Sequence, residues 1–188
     1  ITNSNSQALR EAIDQYSDNV LFVAAAGNSE SRYEGYGNSG WPTVPVDGAV
    51  SAGVTYPAAY PNVLGVMSCN AASAGEGSHA GDWKSSFSRW DPVPGDGVDY
   101  ELIAPGNEIY SATINGYGSD SGTSFSAPFV SGCAALLLTK YKGRDDFSME
   151  DLRQILSETA DEIQGWTVTY QDPDTWEELR DVYYFQQI

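Results

Sequence analysis

Val20-Leu21-Phe22-Val23-Ala24-Ala25-Ala26-Gly27-Asn28 begins with apolar residues that do not alternate with polar ones and ends on a turn pair. A strand with one wet face alternates, whereas a continuous apolar run directly after a helix reads as a parallel strand covered on both faces. The helix stands just before it. Ser6 to Tyr16 has an N-cap serine, and Leu9, Ala12, Ile13 and Tyr16 fall on one face at i, i+3, i+4 and i+7. Asp18-Asn19 breaks the helix, and Gly27-Asn28 ends the strand.

A second buried strand is predicted over Asn62 to Cys69, after the turn units Tyr56-Pro57 and Tyr60-Pro61. Between the two strands, Ser29 to Thr55 is rich in Gly, Pro, Ser and Tyr, and it is too long for a plain connection. Ala71 to Gly97 is again loop-rich, with Phe87 and Trp90 as anchors. Tyr100 to Ala104 and Glu108 to Thr113 read as short strands around Pro105-Gly106-Asn107. Phe125 to Tyr141 is small or apolar almost all round, the pattern of a helix in the middle of a domain. Ser148 caps a further helix with Leu152, Ile155, Leu156 and Thr159 inward. Trp166 to Tyr170 and Val182 to Phe185 are expected to pair as an antiparallel hairpin.

The chain has 188 residues, enough for one domain, and its 41% hydrophobic content supports a packed core. Nine basic residues against 26 acidic ones leave a formal charge of −17. Nucleic acid and anionic lipid need Lys and Arg to displace counterions, so nucleic-acid and membrane partners are not expected. The apolar run Cys133 to Leu138 is far too short for a membrane span. Cys69 and Cys133 lie in apolar stretches and read as small buried thiols, with too few ligands for zinc. The start Ile1-Thr2-Asn3-Ser4-Asn5 has no initiator Met and no signal-peptide pattern, so it is not expected to be a natural start.

The sharpest chemistry lies in Gly122-Thr123-Ser124-Phe125-Ser126-Ala127-Pro128. A serine at the junction of a glycine turn and a buried helix has unpaired N–H groups and a partial positive charge beside it, which suits an oxyanion. Pro128 is expected in the first turn, where its missing N–H costs nothing. Ser124 reads equally as a plain N-cap. Asn28, at the carboxyl end of a buried strand, is placed where open α/β sheets bind ligands, or is a turn residue.

Taken in order, Ala24-Ala25-Ala26-Gly27-Asn28, Tyr56-Pro57-Ala58-Ala59-Tyr60-Pro61-Asn62-Val63-Leu64, Leu102-Ile103-Ala104-Pro105-Gly106 and Gly122-Thr123-Ser124-Phe125-Ser126-Ala127-Pro128 resemble the C-terminal half of a subtilisin-like serine protease. The resemblance runs from the Ser6 helix to about Thr159. It implies an α/β fold with a doubly wound, mostly parallel sheet and helices on both faces, incomplete in this chain. It also implies a serine endopeptidase hydrolysing polypeptide through a Ser-His-Asp triad, in an extracellular or secretory/lysosomal compartment. Ser124 matches the nucleophile. Asn28 matches the side-chain donor of the oxyanion hole, which also uses the Ser124 backbone N–H. Ala25, Ala26 and Gly27 match one wall of the pocket for the residue before the scissile bond. Thr55 falls where a smaller residue often opens the pocket floor. No metal ligand is assigned, no cofactor is required, and the resemblance allows a structural calcium.

Departures from the family pattern matter as much. Phe129 stands where a structural His is usual and reads as a change in core packing. Tyr183-Tyr184-Phe185 replaces the family's closing glycine-containing segment. No aspartate or histidine segment of the family type precedes Asn28, and the only histidine is His79. Glu76, His79 and Asp82 read as a solvated loop ahead of a metal site. A serine without a base is a poor nucleophile. The expectation is therefore that residues 1–188 are the C-terminal portion of a single catalytic domain, and that a complementary N-terminal chain or segment carries Asp and His. The alternative is a non-catalytic structural or binding protein that keeps the fold within a larger assembly. An esterase elbow at Gly122-x-Ser124-x-Ser126 lacks its last glycine and a downstream histidine, and is set aside.

Overall fold

The computed structural model describes residues 4–28, 54–70, 83–85, 87–90, 100, 102–141, 143–144, 146–171 and 178–187. Helix α1 (Gln7–Tyr16) starts where Ser6 Oγ accepts the Leu9 N–H. Strand β1 (Phe22–Ala25) follows and runs parallel to β2 (Val63–Asn70), with Ala25 opposite Val66. On its other edge β2 pairs parallel with β4 (Leu102–Pro105), Val66 opposite Leu102. Two-residue β3 (Trp83–Lys84) joins β2 antiparallel at Cys69 and Asn70, past the end of β1. The hairpin of β7 (Asp161–Gln171) and β8 (Glu178–Gln187) adds β8 in parallel to β4, giving the order β1-β2-β4-β8-β7.

Alternation along β2 divides the core. Leu64 and Val66 face α2 (Thr123–Tyr141) and α3 (Met149–Glu158), packing with Leu102, Ala104, Val130, Ala134, Leu152 and Leu156. On the opposite face, Val63 packs on Ile13 of α1 and Tyr60, while Met67 and Cys69 join Ala26, Ala58, Ala59, Tyr100 and Ile103. Helices therefore cover both faces of a parallel sheet, the α/β arrangement expected.

Several expectations change in detail. β1 is half-buried along its length, because it is an edge strand here, and Val20 before it stands 44% exposed. On α1 only Ile13 is buried, and Leu9 and Tyr16 face outward. Helix α2 begins at Thr123, so Pro128 lies inside it and not in its first turn. Its ring nitrogen has no hydrogen to give the Ser124 carbonyl. Phe129, read as a change in core packing, is 45% exposed among the described residues. α3 has the expected cap at Ser148 and buries Leu152 and Leu156, but Thr159 ends the helix in place of packing inward. A strand without a sequence signal, β6 (Gly116–Asp120), pairs with β5 (Ile109–Thr113) as a separate hairpin. The hairpin expected near the C-terminus is present and longer than predicted. Cys69 is buried and Cys133 half-buried, and no disulfide joins them. Trp90 packs on the core as an anchor, whereas the Glu76, His79 and Asp82 reading and residues 29–53 lie outside the described residues. Among the described residues no helix is long and apolar enough to cross a membrane.

Candidate active site

The carboxyl end of β1 and the start of α2 meet, although they lie far apart in the chain. Gly27 leaves the strand at φ 102°, a left-handed turn that glycine adopts without strain. Its N–H donates to Thr123 Oγ1 at 3.1 Å. The Thr123 N–H and hydroxyl then both donate to Asn28 Oδ1, at 3.0 and 2.9 Å. A backbone N–H can only donate, so the atom facing it must be the amide oxygen. That fixes the direction of the Asn28 amide and leaves Nδ2 as its open donor.

Gly122 shows where Nδ2 points. A methyl group built there would lie 3.1 Å from Asn28 Nδ2, 3.1 Å from Ser124 Oγ and 3.8 Å from Ser124 N. Hydroxyl, side-chain amide and backbone amide thus border one small space, kept open by the missing side chain of Gly122. Gly122 itself is held by its N–H to the Gly106 carbonyl, at 2.8 Å. Ser124 is exposed and is the second residue of α2, so it does not cap the helix; among the described residues nothing hydrogen-bonds its Oγ. A hydroxyl at a helix N-terminus beside an open amide donor is suited to attack on a carbonyl, with both amides facing the oxygen that gains charge.

Ala25, Ala26 and Gly27 lead from β1 to Asn28, and Thr55 packs against them. Thr55 Oγ1 donates to the Ala26 carbonyl at 2.5 Å, and the Thr55 N–H donates to Tyr100 Oη at 2.7 Å. Ala26 and Thr55 have almost no exposed surface, while Ala25 is half-buried. Thr123, wholly buried, is the site residue that sequence reasoning passed over. Its position beside Ser124 was the one available signal. Among the described residues no three His, Cys, Asp or Glu side chains gather to hold a metal ion, so they offer no side-chain cluster for a structural calcium.

Comparison with known proteins places the chain in a family. The Subtilase family, Peptidase_S8, matches residues 1–177. The chain belongs to the subtilase family. It is 34% identical to subtilisin DY of Bacillus licheniformis over 159 residues, 84% of this chain and 46% of that protein. It is also 34% identical to the halolysin-like extracellular serine protease Nep of Natrialba magadii, over 77% of this chain and 20% of Nep. The structure of Sphericase superposes on all of the chain and 54% of its own, with a TM-score of 0.68 and 27% identity. The chain thus spans less than half the length of these two curated subtilases.

Proposed function

We propose that this chain supplies the nucleophile and the side-chain oxyanion donor of a serine endopeptidase. The observation that carries the proposal is the shared space over Gly122, bordered by Ser124 Oγ and the oriented Asn28 Nδ2. Ser124 Oγ attacks the peptide carbonyl and passes its proton to a histidine, which an aspartate orients. Asn28 Nδ2 and the Ser124 N–H donate to the oxyanion. The tetrahedral intermediate collapses, and the histidine returns the proton to the leaving amine. Water then enters by the same route and frees Ser124. Ala25, Ala26 and Gly27 line the wall beside the substrate side chain, and Thr55 sets its depth through its bond to Ala26.

The aspartate and histidine come from a complementary N-terminal chain or segment that completes the domain of which residues 1–188 are the C-terminal portion. The spans matched in the relatives support this, as does the exposed side of α2 at Phe129 and Leu136. A place outside the cell is supported by the relative named as extracellular; the lysosomal alternative has no support among the relatives. A structural calcium remains a family trait for which the described residues supply no side-chain cluster.

Labelling with a fluorophosphonate tests the reading, because it depends on the base as well as on the serine. The assembled protease should label at Ser124, and Ser124→Ala should abolish labelling. An intact assembly that leaves Ser124 unlabelled favours the non-catalytic alternative.

A further inference from the structure

Behind Asn28 lies a buried ammonium that the reaction does not use. Lys84 of β3 is 5% exposed, and its Nζ donates to the carbonyls of Ser85 at 3.0 Å and Ser88 at 2.7 Å. Burial pushes its pKa down to about 7. Burying an amine costs desolvation, which its hydrogen bonds offset only where the donors are placed on acceptors. The two carbonyls belong to a turn that crosses the carboxyl end of β1. Ser88 pairs antiparallel with Asn28, and the Arg89 N–H donates to the Gly27 carbonyl at 2.9 Å.

The same turn is fastened to β2. The Ser85 N–H donates to the Ser68 carbonyl at 2.6 Å, and the Ser68 N–H donates to Ser88 Oγ at 2.9 Å. The hydroxyls of Ser68 and Ser85 share a further hydrogen bond of 2.8 Å. Asn28 is therefore held from two directions: Thr123 fixes its side chain, and the Ser88-Arg89 segment fixes its backbone. The Ser88 N–H closes the turn by donating to the Ser85 carbonyl at 3.0 Å, and Lys84 Nζ adds a donor shared between that carbonyl and the carbonyl of Ser88.

We propose that Lys84 is a positioning residue for Asn28, its Nζ donors bracing the Ser85 and Ser88 carbonyls of the turn that aims Asn28 Nδ2 at the reacting carbonyl. The proposal rests on the protease reading of the site. Lys84 acts through Ser88 and Arg89 and touches no substrate. Without its donors the Ser88 carbonyl loses the partner that orients it, the Asn28–Ser88 pairing shifts within a turn that stays fastened to β2, and Nδ2 moves from a place where small displacements are expensive.

The test compares kcat and KM of the complete protease on a peptide anilide for wild type, Lys84→Met, Lys84→Gln and Lys84→Arg. Leu156→Ala, in the core beneath α3 and remote from the site, serves as a control for lost stability. All are assayed well below their melting temperatures. Lys84→Met should lower kcat by about 10- to 100-fold, with KM within about twofold of wild type. Lys84→Arg, which keeps a charged donor, should recover most of the loss. The side-chain amide resonance of Asn28 should move in Lys84→Met and stay in place in Leu156→Ala. If Lys84→Met does not fold, Lys84→Gln carries the test with a neutral, shorter donor and an expected loss of about fivefold or more. A folded Lys84→Met or Lys84→Gln with wild-type kcat overturns the proposal, as does an equal loss in Leu156→Ala. Wild-type protein that neither cleaves nor labels with fluorophosphonate overturns the protease reading and this proposal with it. Wild-type activity with unmoved Lys84 variants counts against Lys84 alone.

Discussion

Asn28 and Gly122 make opposite demands on one small space, and a pair of substitutions separates them. Asn28→Ala removes the open amide donor while the strand end keeps its Ser88 pairing and Arg89 bond. The expected result is a kcat lower by about 100- to 1000-fold with KM little changed, the size known for loss of this donor in a subtilisin. Gly122 is not among the glycines at positive φ, so its backbone accepts alanine without strain. Its methyl group would press on Nδ2 and on Ser124 Oγ, each 3.1 Å away, and would occupy the space between them. Gly122→Ala should therefore lose kcat by more than its stability loss of about 1–3 kcal/mol explains when it is assayed well below its melting temperature. Steady-state kinetics beside thermal melting check both variants. Full activity in Gly122→Ala would mean that the substrate oxygen lies elsewhere, and a large stability loss in Asn28→Ala with activity kept would make Asn28 a turn residue only.

At the scale of elements, what could be read from sequence is what short-range chemistry decides. Ser6 and Ser148 mark helix starts because a cap is a bond to an amide three residues on. β2 announces itself because both its faces are buried. β6 was silent: Gly116, Gly118, Ser119 and Asp120 have little strand preference, and only pairing with β5 makes them a strand. Thr123 was silent for a related reason, since its partner Asn28 lies 95 residues away, and Lys84 because its burial is made by the fold and not by its neighbours in sequence. The cap of α3 gives a prediction at this scale. Ser148→Ala should cost about 1 kcal/mol of stability in the complete protease. Hydrogen bonds from the Ser148 side chain and backbone hold the Asp151 carboxyl below the usual carboxylate range. A carboxyl depressed in the folded state adds stability above its unfolded pKa and loses it as pH falls through the folded value. The gap between wild type and Ser148→Ala in thermal melting should therefore be full at neutral pH and narrow in acid. A gap that stays constant into acid would show that the carboxyl takes no part in the cap.

For the whole molecule, charge and apolar surface pull in opposite directions. A formal charge of −17 keeps chains apart at low salt, and the repulsion fades as salt screens it. Exposed apolar surface draws chains together at any salt. On α2, Phe129, Gly132 and Leu136 share one stripe at i, i+3 and i+7, with Phe129 45% and Leu136 74% exposed. Nothing lies within 4 Å of a side chain added at Gly132, so another element can approach the helix closely there. Val20, Leu9 and Tyr16 add outward-facing apolar side chains beside β1 and on α1. The sequence of α2 is apolar almost all round, and the described fold covers the side that holds Val130 and Ala134. Residues 1–188 produced alone should accordingly stay dispersed at low salt, associate as salt rises, and unfold without a sharp transition. Joined to the complementary segment that carries Asp and His, the same residues should elute as one species and melt cooperatively. Size exclusion across a salt series, with thermal unfolding of each sample, decides it. A lone chain that remains a monomer at high salt and melts sharply would show that the α2 stripe needs no cover, and would return the non-catalytic alternative to first place.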